Sequence, residues 1–474
     1  MKRTRLDGMK RTIRNAEGFF EVLLLSVAYY FVWRFGYERG VFPAYFGNGK
    51  YILAGVYGML VIVLFSNFDG FKFGYLKLVE AFASQIIALF IVNFITYFQL
   101  SLIANVMISP LPLLALMAID AVISLICTAL FSQLYHRLYP PKNMVMIYGN
   151  DNAIDLKFKM DTRSDKYRIT KLISAEDGFA SICDQIKDYD AVIINDVAAG
   201  IRNDLLKFCY HNNIRTYVAP KMTDIIIKGA TEISLFDTPL LLVRRRGLTF
   251  SQRVIKRLID IVLSLVALII TSPILLIVSI AIKIEDRGPV FYKQARVTMG
   301  SKVFNILKFR SMIPNAEKDG KSQPAVDNDP RITKIGKFIR ATRIDELPQI
   351  LNILKGDMSI VGPRPERVEH VQAYCQAIPE FDFRLSVKGG LTGYAQVYGK
   401  YNTTPYDKLR LDLMYIENYS LMLDIKLILM TIRIMLKKES TEGFNELLET
   451  ERKNAALLDE LHKERKEETA VGSR

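Results

Sequence analysis

The chain has 474 residues, too many for a single domain, and half of them are hydrophobic. Its mean hydropathy of +0.16 is high for a wholly water-soluble protein, so part of the chain is expected to lie in lipid. The formal net charge of +14 suits nucleic acid, anionic lipid or a phosphorylated substrate. With so much apolar sequence, membrane lipid and a phosphorylated substrate are favoured, and a nucleic-acid partner is not expected.

A basic segment, residues 1–17, precedes four apolar runs at 18–33, 51–66, 78–98 and 110–131. Each run is near the length needed to cross the hydrocarbon core. The positive-inside rule places the basic N terminus in the cytoplasm, and the uncharged connection 99–109 suits the other side. The sequence therefore predicts a transmembrane bundle of four spans over residues 1–139. A soluble bundle with unusually apolar helices is the alternative.

Pro140-Pro141 opens a region in which short apolar runs alternate with helical patterns. Strands are predicted at 145–149, 191–195 and 215–218 and a helix at 203–213, which indicates an α/β, Rossmann-like insert over residues 140–246. A dinucleotide site needs a glycine-rich turn after the first strand, and the turn 149–153 holds one glycine. A spacer or oligomerisation module is therefore favoured over a dinucleotide sensor, which leaves a homo-oligomer such as a dimer open.

An apolar segment from Ile259 to Ile282 is long enough to span a membrane. Ser272-Pro273 falls near its centre, where proline removes a backbone donor and disfavours helix at the preceding residue. Both flanks are basic, and four earlier spans already return the chain to the cytoplasm. A re-entrant helix over 256–283, entering and leaving by one face, fits these observations, and a kinked transmembrane helix is the alternative.

Residues 340–365 read RATRIDELPQILNILKGDMSIVGPRP. Asp345 and Glu346 precede apolar residues at helical spacing, and Pro348 is tolerated in a first turn because the N–H there has no partner. A helix is therefore predicted to start at or beside Asp345, with both carboxylates at its positive end. Pro363-Arg364-Pro365 forms a stiff turn that carries one guanidinium.

The residues on either side of this stretch are also patterned. Lys308 and Arg310 alternate with apolar residues, so both side chains are expected on one face of a strand. Residues 406–418 and 421–436 are amphipathic and suit interfacial helices, with simple core packing as the alternative. The charged tail, 438–474, is expected to be helical or disordered.

In this order, the basic run 287–312, the Asp-Glu-Leu-Pro-Gln segment and the Gly-Asp-Met-Ser-Ile-Val-Gly-Pro-Arg-Pro segment resemble the bacterial sugar transferases. These are monotopic phosphoglycosyl transferases of capsule, exopolysaccharide and O-antigen assembly, and larger members carry an inserted domain behind four membrane spans. The resemblance covers residues 256–437. It implies an α-rich catalytic domain over 247–437, a helix–break–helix at Ser272-Pro273, and a bacterial inner-membrane protein whose catalytic domain faces the cytoplasm.

The resemblance also implies transfer of hexose 1-phosphate from a UDP-sugar to polyprenyl phosphate, usually undecaprenyl phosphate, with release of UMP. Asp345 would be the nucleophile, and Glu346 would bind Mg²⁺. Lys308, Arg340, Pro363, Arg364 and Pro365 would bind the substrate. The alternation that pairs Arg310 with Lys308 adds Arg310 to this predicted substrate site.

The chemistry of these residues agrees, because a carboxylate can form an acyl phosphate and a hard cation needs oxygen ligands. The sequence departs from the family pattern at Lys388-Gly389-Gly390, Tyr394 and Thr298, and the identity of the sugar stays open. A catalytically silent membrane scaffold of a polysaccharide assembly complex is the alternative function.

Overall fold

The computed structural model describes residues 2–38, 48–150, 152–235, 237–243, 247–314, 329–399 and 403–435. Contacts divide the chain into two compact units, residues 1–217 and 218–474. This division falls inside the predicted insert, and the predicted domain boundaries stay predictions. The predicted tail, 438–474, lies outside the described residues.

Four long helices form the first part of the N-terminal unit: α1 (Lys2–Gly36), α2 (Gly49–Asn67), α3 (Leu78–Ala104) and α4 (Leu111–Leu138). α1 and α3 each pack against both α2 and α4, which closes a bundle. All four are long and apolar enough to cross a membrane, so the four apolar runs are confirmed as helices. α1 begins well before its apolar run because basic side chains such as Lys10 and Arg14 are good helix formers.

The bundle interior contains hydrogen-bonded polar side chains. Gln85 on α3 donates to Glu21 on α1 (3.1 Å) and accepts from Thr128 on α4 (2.8 Å). Tyr57 on α2 donates to Asp120 on α4 (2.6 Å). The interior also buries large apolar side chains such as Trp33 and Phe65, while others such as Phe31 and Phe94 face outward, as expected of helices in lipid.

A four-stranded sheet follows the bundle, with strand order β2-β1-β3-β4. β1 is parallel to both of its neighbours, as the α/β pattern predicts. The edge strand β2 is not predicted, because charged side chains interrupt its apolar residues. The strands and the helices between them are β1 (Lys142–Tyr148), α5 (Asn152–Asp161), β2 (Tyr167–Ser174), α6 (Phe179–Ile186), β3 (Ala191–Asn195), α7 (Ala199–His211) and β4 (Arg215–Val218).

The C-terminal unit is built around one long helix, a β-hairpin and several short elements. Its 3-10 helices are Met299–Ser301, Ile344–Glu346 and Pro379–Ser386, and another, Ala175–Asp177, lies in the N-terminal unit. The remaining elements are α8 (Met222–Lys228), β5 (Thr231–Ile233), β6 (Leu240–Leu242), α9 (Phe250–Asp286), β7 (Phe291–Val297), β8 (Val303–Phe309), α10 (Lys334–Ala341), α11 (Gln349–Lys355), β9 (Ser359–Val361), α12 (Val368–Ala377), β10 (Gly390–Thr392), α13 (Tyr394–Tyr398), α14 (Pro405–Glu417) and α15 (Leu421–Met435).

The two amphipathic stretches near the C terminus form α14 and α15, as predicted. Leu409 and Leu413 of α14 and Leu427 of α15 are buried in one apolar cluster of this unit. α15 also leaves Met422 and Ile432 exposed. Core packing therefore accounts for one face of these helices, and their interfacial placement stays a prediction.

Helix α9 is 37 residues long and is the fifth described helix that is long and apolar enough to cross a membrane. Its helical conformation continues through Ser272 and Pro273, where a break was predicted. Pro273 has no N–H for the carbonyl of Ile269, and the hydroxyl of Ser272 donates to that carbonyl instead (2.9 Å). Re-entry into the membrane stays a prediction.

Both ends of α9 contact the same unit. Near its start, Arg257 donates to the carbonyls of Ile353 (2.6 Å) and Leu354 (2.7 Å) at the end of α11. Near its end, Glu285 accepts the backbone N–H of Lys334 at the start of α10 (2.9 Å). The long central part of the helix carries many exposed apolar side chains.

Candidate active site

A tight turn carries the two neighbouring carboxylates. Asp345 and Glu346 lie in the 3-10 turn that precedes α11, so the α-helix begins at Gln349 and not at or beside Asp345 as predicted. Pro348 has no N–H for the carbonyl of Ile344, which accepts the N–H of Leu347 instead (3.1 Å). This shorter bond winds the chain more tightly before the helix begins.

Lys308 binds both carboxylates. Its Nζ lies 2.7 Å from Glu346 Oε1 and 3.9 Å from Asp345 Oδ2. Arg364 Nη2 lies 2.6 Å from the same oxygen of Glu346. Each carboxylate side chain is only 13% exposed, which strengthens these charge interactions. The structure thus brings together four of the predicted site residues.

The two carboxylates differ in acidity. Burial raises the pKa of Asp345 above its ordinary value, although the charge of Lys308 opposes this effect. Burial also opposes ionisation of Glu346, but the charges of Arg364 and Lys308 outweigh it and hold the pKa of that carboxyl far below its usual range. Neighbouring carboxylates whose pKa values diverge commonly have different chemical roles.

Asn352 positions the strand that carries Lys308. Its Nδ2 donates to the carbonyl of Asn305 (2.9 Å), and its Oδ1 accepts the backbone N–H of Leu307 (2.9 Å). The side chain is buried on α11, immediately after the carboxylate turn. It therefore fixes β8 against the segment that carries Asp345.

Two arginines hold the Pro-Arg-Pro turn by its backbone. Arg384 Nη2 donates to the carbonyl of Arg364 (2.9 Å), and Arg296 Nη1 donates to that of Pro365 (3.0 Å). Arg384 is itself buried and donates from Nε to Asp412 (2.8 Å). This network fixes the backbone from which the Arg364 side chain reaches Glu346.

The turn also depends on close backbone packing. The carbonyl of Pro363 accepts the N–H of Gly390 (2.9 Å). A Cβ atom on Gly390 would lie 2.1 Å from the backbone nitrogen of Gly362, so this approach requires glycine.

Two further arginines act on Asp345 through their charge. Arg340, a predicted site residue in α10, and Arg343, which was not predicted, both lower the pKa of Asp345 against the effect of burial. Arg343 has a left-handed backbone conformation (φ 59°) just before the carboxylate turn. In the sequence, only the position of Arg343 two residues before Asp345 indicates that its charge could act on that carboxylate.

Arg310 lies elsewhere. It forms an ion pair with Asp286 at the end of α9 and donates from Nε to the carbonyl of Pro289 (2.6 Å). β8 ends at Phe309, so the alternation that would point Arg310 to the face of Lys308 does not continue to it. Ser272 and Pro273 likewise lie in the middle of α9 and outside the carboxylate cluster.

The carboxylates of the cluster are oxygen donors of the kind that Mg²⁺ requires. Among the residues that the structure describes, no three His, Cys, Asp or Glu side chains converge as a metal site. Asp345 and Glu346 supply adjacent carboxylates, and Mg²⁺ is often held by one or two carboxylates together with substrate phosphate and water. The residues present therefore fit a Mg²⁺ ion that binds with a phosphorylated substrate.

Comparisons with known proteins identify the family of this part of the chain. A family model described as bacterial sugar transferase matches residues 251–438, which include the whole carboxylate cluster. A Haemophilus influenzae protein named as an uncharacterized sugar transferase is 30% identical over 338 residues, 63% of this chain and 70% of the relative. The chain belongs to the bacterial sugar transferase family.

Other members of the family carry more specific names. A Klebsiella pneumoniae UDP-glucose:undecaprenyl-phosphate glucose-1-phosphate transferase is 38% identical over 248 residues, 51% of either chain. An Aeromonas hydrophila UDP-N-acetylgalactosamine-undecaprenyl-phosphate N-acetylgalactosaminephosphotransferase is 45% identical over 185 residues, 38% of this chain and 44% of the relative. The chain thus spans about half the length of these relatives.

Proposed function

We propose that this chain is an enzyme that transfers a hexose 1-phosphate from a UDP-sugar to polyprenyl phosphate and releases UMP. The acceptor would be undecaprenyl phosphate, as in the names of the Klebsiella and Aeromonas relatives. The observation that carries the proposal is the shielded pair Asp345 and Glu346, which Lys308 bridges within the range that the family model matches. Those two relatives are named for different sugars, so the proposal leaves the hexose open.

In the first step, a carboxylate oxygen of Asp345 attacks the phosphorus that bears the sugar. A new O–P bond forms, the P–O bond to the bridging oxygen breaks, and UMP leaves with that electron pair. The raised pKa of Asp345 makes its ionised form a better nucleophile than an ordinary aspartate. Lys308 and Arg364 stabilise the charge on the phosphoryl oxygens.

In the second step, a phosphate oxygen of the polyprenyl phosphate attacks the same phosphorus. The acyl–phosphate bond breaks and its electron pair returns to Asp345, which restores the carboxylate. The product is a polyprenyl diphosphate sugar, so one phosphorus atom accepts two successive nucleophiles in one site.

Glu346 has a different role in this scheme. Its strongly lowered pKa keeps it ionised at any physiological pH, where it holds Lys308 and Arg364 in place. It would also hold Mg²⁺, which would supply charge neutralisation for the pyrophosphate when bound.

The test is release of UMP by the full-length protein in detergent, with undecaprenyl phosphate and a panel of UDP-sugars. At least one UDP-sugar should give UMP that depends on the acceptor for multiple turnovers. Asp345→Asn should abolish this release, whereas the matched change at exposed Asp382 (Asp382→Asn) should preserve it. No UMP from any UDP-sugar would favour the catalytically silent scaffold.

A further inference from the structure

The N-terminal unit contains a cavity of about 430 Å³ that the proposed reaction does not use. It lies where the basic end of α1, the end of α4 and the loop between α2 and α3 meet the sheet. Its volume falls in the range of small-molecule sites and exceeds that of a single water or metal ion. Six cationic side chains line it: Lys10, Arg11, Arg14, Lys142, Lys166 and Arg215.

The charge of the lining is strongly unbalanced. Among the described residues that line the cavity, one carboxylate, Asp165, faces these six cations. That carboxylate is already held by Arg163, whose Nε and Nη2 each donate to it at 2.9 Å. His136 lies 3.7 Å from the same group. A concentration of positive charge in a concave site of this kind attracts anions.

Lys166 shows the electrostatic effect of this arrangement. Its Nζ lies 3.8 Å from the ring centre of Tyr75 and 5.1 Å from that of Tyr167. Burial and the charges of Arg163, Lys10 and Arg215 together lower the pKa of Lys166 to about 8, against the opposing charge of Asp165. A bound anion would relieve this repulsion and favour the charged ammonium.

The cavity is built by close packing and is not a loose gap. Gly74 has a left-handed backbone conformation (φ 69°), and a Cβ atom there would lie 2.2 Å from the ring of Tyr135. Glycine is therefore required for that ring to line the cavity. Lys10 also packs over the ring of Tyr139, with its Nζ 4.5 Å from the ring centre. Aromatic walls of this type suit the carbon skeleton of a phosphate ester.

The position of the cavity distinguishes it from a dinucleotide site. Lys142 and Tyr167 are the first residues of the parallel strands β1 and β2, so the cavity lies at the amino ends of these strands. Dinucleotide-binding folds bind their ligands at the carboxyl ends. The cavity instead adjoins the ends of apolar helices, at the level where lipid headgroups are expected.

We propose that this cavity binds a ligand that carries a phosphate group, either the headgroup of an anionic phospholipid or a soluble phosphate ester. Both sources share the anion that the six cations recognise. Only the phospholipid also supplies acyl chains, which would lie along the outer surface of the bundle.

Two probes distinguish the sources in the full-length protein. Phosphatidylglycerol retention is measured by native mass spectrometry against phosphatidylcholine, and glycerol 3-phosphate binding is measured by calorimetry. The double variant Lys166→Gln with Arg215→Gln should weaken binding roughly thirty-fold, since each cation near an anionic headgroup contributes substantially. The matched control removes two exposed lysines of the same unit, Lys187→Gln with Lys207→Gln, and should bind as the parent does.

A loss confined to phosphatidylglycerol identifies the headgroup as ligand, and a loss for glycerol 3-phosphate identifies a soluble ester. The charge-preserving variant Lys166→Arg with Arg215→Lys should bind as the parent does. This result would show that the double variant loses binding through its lost charges and not through misfolding. The proposal is overturned if the unaltered protein binds neither probe selectively, or if the double variant and its control bind alike.

Discussion

Asp345 and Glu346 are neighbours in the chain, but their surroundings differ. Glu346 accepts two charge-assisted hydrogen bonds through one oxygen, from Lys308 and Arg364, whereas Asp345 has the more distant contact to Lys308. Glu346 is therefore already engaged by cations, and Asp345 retains the lone pairs that a nucleophile needs. This asymmetry supports the assignment of attack to Asp345 and of charge organisation to Glu346.

At the scale of single residues, the charge of Lys308 should set the pH dependence of attack by Asp345 on the UDP-sugar. Lys308 lowers the pKa of Asp345, which burial raises above its ordinary value. Removing the cation in Lys308→Gln should raise the pKa of Asp345 further. On acidification, Asp345 should then become protonated at a higher pH than in the parent protein. The acidic limb of the pH profile of kcat/KM for UMP release should therefore move to higher pH.

The matched control is Lys302→Gln on the same hairpin, where the lysine is exposed and pairs with Asp357. This control should leave the limb in place. An acidic limb that is unchanged in Lys308→Gln would contradict the assignment of that limb to Asp345.

A second residue-scale prediction concerns Glu346. Glu346→Gln retains the size of the side chain but removes the charge that holds Lys308 and Arg364 and that would bind Mg²⁺. The rate should fall by about 10²–10³, typical for the loss of one electrostatic stabiliser, and half-maximal activity should need more Mg²⁺. Titration of Mg²⁺ after treatment with a chelator measures this, with Glu369→Gln on the exposed side of α12 as control. An unaltered Mg²⁺ requirement would place the metal on other ligands.

At the scale of elements, α9 is the feature that most constrains membrane topology. A straight helix across a hydrocarbon core of roughly 30 Å separates its two ends onto opposite faces. Here Arg257 near one end and Glu285 near the other contact the same unit. This arrangement supports a helix that enters and leaves by one face.

Cysteine accessibility tests this topology. Lys256 is buried in an ion pair with Asp424, so exposed Arg253 is the better position at the first flank, with exposed Lys283 at the second. In a background without the four native cysteines, Arg253→Cys and Lys283→Cys should both react with an impermeant thiol reagent in inverted vesicles, and neither should react in intact cells. Opposite labelling of the two positions would instead show a transmembrane span.

The elements also show what local sequence can predict. Lys308, Glu346 and Arg364 were predicted because the motifs that contain them resemble those of the bacterial sugar transferases. Asn352 and Arg384 were not, since their partners lie far along the chain and only the fold brings them together. Arg310 was assigned to the wrong surroundings because a period-2 pattern does not show where its strand ends.

At the scale of the whole molecule, the C-terminal unit begins before the range that the family model matches. Met222 and Ile225 of α8 are buried in one cluster with Leu409 and Leu413 of α14. The sequence analysis placed these residues in the α/β insert, whose predicted boundary is residue 246. Long-range packing, which a local pattern does not carry, connects α8 with the rest of the C-terminal unit.

This packing predicts that α8 stabilises the C-terminal unit. In the full-length protein, Ile225→Ala should lower the free energy of unfolding of this unit by about 2–5 kcal/mol, since it leaves a cavity in the core. Ile227→Ala on the exposed side of the same helix should change it little. The loss of UMP release with increasing denaturant measures the unfolding of each variant. Equal destabilisation by the two substitutions would contradict the role of α8.

The covalent intermediate is tested most directly by trapping it. Enzyme mixed with Mg²⁺ and a labelled UDP-sugar, without polyprenyl phosphate, should release about one UMP per active site and keep the labelled phosphosugar on the protein. Digestion and mass spectrometry should place the adduct on Asp345, and adding polyprenyl phosphate should remove it. An adduct that maps to another residue or persists in Asp345→Asn, or UMP release that requires the acceptor from the first turnover, would contradict the account.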